Sequence, residues 1–478
     1  DNFETEALKS RLGNYPISTN ICETLVRLGE DFSLQPLLAT KWEYKGNNTW
    51  RFTLRDGVTF WDGSKMTADD VKWSLDRTVK GAIGYSSMGE NSIKVIDALT
   101  VEVTPTQPNL RLIEQILHPT YAVIKNGSEL ATQPMCTGPF KYVEYVKGER
   151  FVVERNATYW GDKAKLQKVT YRFFPDVNTR RLALESGQID LMMDLPPEQV
   201  ASTKARPGIK VQSAPVGRTM LMYMNIHGKE PYLLLQDRAI RQAIGYAIDR
   251  KVMVEKIWEG NAAVIATMGP AEVLGEFAKN VQGYTLDQKK ASDLLEQAGW
   301  KLGVDKVRAK DGKRLSITLI GWAEWDRQIL EFLQAQLGAV GIELKIVKSP
   351  DQASYQKLAD GGEFDIDLEG PNQNDGNPIF LPALRFYSKA TGKTVQWFAL
   401  GGKFDQVVEQ GSAASERSET QKKAAEAMRI LIDEEGSVIP VAGLSRIYAM
   451  KDTVQGFLPH PSQTNQWWNT VWLAKESK

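Results

Sequence analysis

Between residues 315 and 369 the chain switches between two hydrophobic periods. Leu315-Ser316-Ile317-Thr318-Leu319-Ile320 alternates apolar with small polar residues, which predicts a strand. Ile329, Phe332, Leu333, Leu337 and Val340 then recur at helical spacing, and Gly341 is placed to stop that helix. Ile342-Glu343-Leu344-Lys345-Ile346 returns to alternation, so the segment reads as a βαβ unit with parallel strands and a right-handed crossover. Phe364-Asp365-Ile366-Asp367-Leu368-Glu369 predicts a third strand, which runs into the turn-forming stretch Gly370–Pro378. A separate helix is expected from an N-cap at Asp237, with Ile240, Ile244, Ala247, Ile248 and Val252 as its apolar stripe and Gly260 closing the segment. Trp50–Leu54 and Val58–Phe60 read as a hairpin around Arg55-Asp56-Gly57, and Thr67 with Asp70 resembles a capping box for the helix that follows.

The strand pattern nominates a site. In open α/β sheets ligands bind beyond the carboxyl ends of the strands. The loop after Ile320 offers Trp322, Trp325 and Arg327; the loop after Glu369 offers Asn372, Gln373, Asn374 and Asp375. Aromatic faces beside amides and a carboxylate suit a polar ligand with apolar faces. The same Asn/Asp/Gly/Pro run also reads as plain turn chemistry.

Composition narrows the class. The 478 residues carry 59 Lys+Arg and 59 Asp+Glu, and this zero net charge argues against nucleic acid or an anionic membrane as partner. The length calls for two or three domains. No window spells a membrane span, and the start at Asp1 without a basic and apolar leader reads as an exported chain with its signal peptide removed. Cys22 and Cys136 read as two buried, unpaired thiols, with one bridge as the alternative.

Catalytic and metal chemistry find no support. Gly84-Tyr85-Ser86-Ser87-Met88-Gly89 fails the nucleophile-elbow pattern at Met88. His118, His227 and His460 are scattered, without a metal or catalytic motif. No catalytic residue, metal ligand or cofactor is therefore expected, and a secreted hydrolase stands as the rival class.

One long run is more specific. Pro36-Leu37-Leu38-Ala39-Thr40-Lys41-Trp42, then Trp50–Gly63, Met66–Val71 and Ser74–Arg77 resemble the bacterial extracellular solute-binding proteins of family 5. Thr137-Gly138-Pro139-Phe140, Asn156–Gly161, Leu184–Asp190, Arg241–Arg250 and Leu294–Trp300 continue the resemblance in order. It implies an α/β, two-lobed periplasmic-binding-protein fold of the class II, cluster C type, whose lobes close on a ligand by hinge motion. It implies domain I from residues 1–38, 133–238 and 446–478, domain II from 39–132 and domain III from 239–445. The chain would cross between lobes near Asp237 and again near Val441–Ile447.

By resemblance the protein is a periplasmic monomer that hands a small solute to an ABC permease. Tyr15, Asn20 and Thr137 join the candidate site from domain I, together with Tyr223, Asn225 and Trp397. The family's Asp-bearing peptide loop is replaced by Asn372–Pro378, and Cys22 stands where many members have Tyr. The expected ligands are, in order, an opine or sugar conjugate, a short peptide and a nickel chelate.

Overall fold

A computed structural model describes residues 20–80, 87–107, 109–128, 134–322, 327–373, 375–462 and 466–475, with Trp322 described by its backbone alone. The chain is mixed α/β and divides into two compact units. The first comprises the described parts of Asp1–Val216, Asn374–Asn377 and Arg446–Lys478; the second comprises those of Gly217–Gln373 and Pro378–Ser445.

In the first unit, strands β1 (Ala39–Gly46) and β2 (Thr49–Leu54) pair antiparallel, and helix α1 (Ala68–Lys80) packs beside β3 (Ile93–Asp97) and β4 (Thr100–Val103). The sheet order is β1-β2-β4-β3. Thr67 and Asp70 behave as the capping box requires: the Thr67 amide and hydroxyl donate to Asp70 Oδ2 at 2.9 and 3.0 Å. The expected hairpin partner Val58–Phe60 is not a strand of this sheet. Both edges of β2 are taken by β1 and β4, and Val58 and Phe60 instead bury their side chains in the core beneath. A three-stranded antiparallel sheet follows, formed by β5 (Phe140–Val146), β6 (Arg150–Arg155) and β7 (Lys168–Arg172). Cys22 and Cys136 are joined in a disulfide, with 4.9 Å between their Cα atoms, so the reading as free thiols is corrected. Their separation of 114 residues concealed a proximity that only the fold creates.

The chain enters the second unit between Val216 and Gly217, within the long strand β8 (Ile209–Met224). This lies upstream of the crossing expected near Asp237, because Leu221–Met224 already pair with a strand of the second unit and are buried in its core. The expected single helix after Asp237 is two helices, α2 (Arg238–Ala247) and α3 (Arg250–Lys256). Ile248 is extended and Asp249 starts the second helix by accepting from the Val252 amide, which leaves Val252 37% exposed rather than on a buried stripe.

The predicted βαβ unit is present as β9 (Ser316–Trp322), α4 (Arg327–Ala339) and β10 (Glu343–Ser349), with the two strands parallel. Gly341 takes φ +86°, a left-handed conformation, and the Ile342 amide folds back onto the Leu337 carbonyl at 3.0 Å, ending the helix. Helix α5 (Gln352–Gly361) leads to the third predicted strand, β11 (Ile366–Glu369), and α6 (Phe380–Phe386) follows it. β11 is parallel to β9 and antiparallel to β8. The chain leaves the unit between Ser445 and Arg446, within β12 (Val438–Lys451). One continuous apolar core, including Met222, Ile244, Leu319, Leu333, Phe364 and Phe398, fills this unit.

Candidate functional site

Parallel pairing brings three strand ends to one edge of the second unit. Trp322 stands opposite Ser349, and Gly321 opposite Leu368, so the loops after β9 and β11 leave the sheet together. The loop after β11 is held by β8. The Gln373 amide donates to the Gly217 carbonyl at 2.5 Å, the Thr219 amide to the Pro371 carbonyl at 3.3 Å, and Arg218 Nε to the Gly370 carbonyl at 3.0 Å. A Cβ at Gly217 would come within 2.4 Å of the Gln373 carbonyl oxygen, so this approach of two backbones requires glycine. Asn372 bridges Arg218 in antiparallel fashion, and its Oδ1 is buried without a hydrogen-bond partner. A buried unpaired acceptor is costly, and it fits a ligand N–H or O–H.

Of the other residues nominated from sequence, Trp325, Asn374 and Tyr15 lie outside the described residues. Gln373 is 1% exposed and packs near Gly269. Asp375 Oδ1 accepts from the Asn377 amide at 3.0 Å, the turn role its composition allowed. Arg327 is solvated, and its Nε donates to Glu331 Oε1 one helical turn on. Tyr223 lies in the core between Phe386 and Phe398. Asn225 Nδ2 donates to the Phe364 carbonyl at 2.8 Å and fixes the approach to β11. Trp397 is also core. In the first unit, Asn20 ties the Gln466 carbonyl to the Trp468 amide, and Thr137 Oγ1 donates to the buried Glu23 at 2.8 Å. The fold thus brings Asn372 and Gln373 to the strand edge beside Trp322, and gives Arg327, Tyr223, Asn225, Trp397, Asn20 and Thr137 structural contacts.

Sequence reasoning missed a buried polar group on β11. Asp367 is fully buried, and Tyr355 Oη approaches both Asp367 Oδ1 and Glu369 Oε1. Arg385 on α6 pairs with Glu369. Burial, followed by the charge of Glu369, pushes the Asp367 carboxyl up to about 8. Burial also raises Asp365 to about 6, against the pull of the Thr318 amide that donates to it. The available signal was three acids at alternate positions of one strand, a pattern ordinarily read as a solvated face.

Other chemistry is sparse. His227 Nε2 lies 2.7 Å from the Ala399 carbonyl and His460 Nε2 lies 3.0 Å from that of Leu28. Among the described residues no group of three or more His, Cys, Asp or Glu could hold a metal, and no helix is long and apolar enough to cross a membrane. A concavity of about 890 Å³ lies in the first unit, bordered by Tyr171, Phe173, Arg180, Met193 and Arg446, and includes none of the nominated residues.

Comparison with known proteins places this geometry in a family. The nickel-binding periplasmic protein of Escherichia coli K12 is 26% identical over 463 residues, covering 92% of this chain and 86% of that protein. The glutathione-binding protein GsiB of Salmonella typhi is 26% identical over 377 residues, covering 75% and 68%. Among solved structures, the ABC transporter-associated periplasmic binding protein DppA of Helicobacter pylori, in complex with peptide STSA, superposes with a TM-score of 0.73 at 25% identity, covering 99% and 96%. The model described as bacterial extracellular solute-binding proteins, family 5 Middle, matches residues 33–393, well over half of the chain, and the protein belongs to that family.

Proposed function

We propose that this protein is the periplasmic solute-binding component of an ABC importer, and that its solute is amino-acid-derived, the class that holds short peptides and opines. The observation that carries the solute class is Asn372 Oδ1, a buried acceptor without a partner at the end of β11. It calls for a ligand donor, an N–H or an O–H, which amino-acid-derived solutes supply through their amide and amine groups; the choice of this class over a sugar rests on the relatives' ligands. The ligands named for relatives, glutathione and the peptide STSA, support the same class. The nickel-binding relative makes a metal chelate the second reading. Asn372, Gln373 and Trp322 are the proposed contacts in the second unit, and no catalytic role is assigned. The Cys22–Cys136 disulfide supports an oxidising compartment such as the periplasm. Within this reading residues 39–132 form a domain of their own, supported by the apolar core that their sheet and α1 share, to which Leu25, Val26 and Leu38 also contribute.

Titration calorimetry of the full chain tests the solute class against di- and tripeptides, glutathione, an opine, a sugar phosphodiester and a nickel–histidine chelate. The expected result is saturable binding of an amino-acid-derived solute, recovered intact. Asn372→Ala is expected to weaken it roughly tenfold, about 1.4 kcal/mol. Binding of the chelate or the sugar phosphodiester alone overturns the class; turnover of the ligand overturns the binding role.

A further inference from the structure

The polar group on β11 has one hydrogen too few. Tyr355 Oη lies 2.7 Å from Asp367 Oδ1 and 2.5 Å from Glu369 Oε1. A phenol has a single O–H, so it donates to one of these oxygens, and the other contact needs a proton of its own. Arg385 decides which carboxyl that is. Its guanidinium contacts Glu369 Oε1 and Thr394 Oγ1, which marks Glu369 as the ionised member. Asp367 is the more buried of the two, and its Oδ2 has no hydrogen-bond partner.

We propose that Asp367 is held in the folded protein as a neutral acid, and that its proton maintains the clamp at the base of the loop after β11. Asp367 Oδ1–H donates to Tyr355 Oη, Tyr355 O–H donates to Glu369 Oε1, and Arg385 neutralises Glu369. Glu369 stands immediately before the Gly370–Ile379 loop, and Arg385 lies on the helix immediately after it. Loss of the proton to solvent leaves two carboxylates competing for one hydroxyl hydrogen and one guanidinium, which weakens the tie across the loop. The proton assignment stands independently of whether the loop receives the solute.

Among the described residues, the surroundings contribute no second cation to Asp367. On β8, the Tyr223 ring lies 5.6 Å from the Arg385 guanidinium. On β9, the residue paired with Asp367 is Ile320, which is uncharged. On α5 the contact is Tyr355 itself. Two residues back on β11's approach, Asp365 is occupied by the Thr318 amide at 2.8 Å. The upward shift of Asp367, caused by burial and then by Glu369, agrees with this geometry.

The test compares the full-length protein with Asp367→Asn, whose amide donates to Tyr355 at every pH. Urea unfolding is measured from pH 5 to 9, after circular dichroism confirms the fold. The unfolding constant of the parent relative to the variant is expected to rise by up to tenfold per pH unit as pH approaches about 8, then level off. A ratio that is flat or falls overturns the proposal. Infrared spectroscopy is a second readout if the variant does not fold. The parent is expected to show a protonated carboxyl stretch near neutral pH that shifts in Tyr355→Phe; a spectrum that Tyr355→Phe leaves unmoved also overturns it.

Discussion

Glu23 in the first unit and Asp367 in the second are both withdrawn from water, at 1% and 0% exposure, yet their surroundings differ in kind. Glu23 accepts from three side chains: Thr137 Oγ1 at 2.8 Å, Tyr159 Oη at 2.6 Å and Trp160 Nε1 at 2.9 Å. Asp367 shares one hydroxyl with Glu369 and leaves an oxygen unpaired. Burial raises the pKa of both, and at Glu23 the three donors and Arg27 offset that rise only in part, so its carboxyl also stays above the usual range. Donor count therefore distinguishes them better than burial does. A buried carboxylate surrounded by donors is a structural knot, whereas one short of donors keeps its charge only at a cost and binds a proton instead.

The knot at Glu23 is tied by covalent means as well. Cys22 precedes Glu23, Cys136 precedes Thr137, and the disulfide joins the two segments. Replacing both cysteines with serine is expected to cost the most, about 4 kcal/mol, because the bridge closes a long loop in the unfolded chain. Urea unfolding of the double variant, followed by fluorescence, measures this. Glu23→Ala is expected to cost about 3 kcal/mol, since three buried donors lose their acceptor. A smaller loss for either change would mean that water or repacking replaces the knot, and the contrast with Asp367 would narrow.

The amide exchange sharpens the comparison further. Glu23→Gln places N–H groups where donors already converge and is expected to cost about 2 kcal/mol. Asp367→Asn is expected to be tolerated at acid pH and to help as pH rises. The sign follows from linkage. A carboxyl whose folded pKa lies above its unfolded value gives stability that is complete below the unfolded value and is lost as pH rises through the folded one. For Asp367 that window runs from 3.8 to about 8. Equal responses of the two amide variants would remove the distinction between a carboxylate and an acid.

The same contrast marks what was legible in the sequence. The βαβ unit was readable because its apolar residues alternate or recur at helical spacing, and burial of that face decides the structure. The strand carrying Asp367 and Glu369 was readable as a strand, but a period of two does not say which face meets water; Tyr355 of α5 and Arg385 of α6 cover the face that bears these two acids. Val58–Phe60 failed as a strand because local alternation cannot see that β2 already has two partners. The position of Asn372 at a strand end was legible from turn chemistry after β11. Its bridge to Arg218 was not, since that contact depends on β8 reaching the loop from a distant part of the chain. Asn225, Tyr223 and Thr137 were drawn into the expected site by family resemblance, and the fold uses them for packing and hydrogen bonding.

Arg327 supplies the smallest expected effect and the far end of the comparison. Its partner Glu331 is a carboxylate with an excellent donor, as at Glu23, but the arginine side chain is 86% exposed. Water solvates both charges before and after the contact forms, and ordering two long side chains offsets most of the attraction. Arg327→Ala is therefore expected to leave the urea midpoint and solute affinity indistinguishable from the parent, with the same result at low and high salt. A fall in affinity with an unchanged midpoint would return Arg327 to the solute site. A fall in the midpoint that high salt abolishes would show that the helix depends on this pair, and donor geometry would then outweigh burial in ranking these carboxylates.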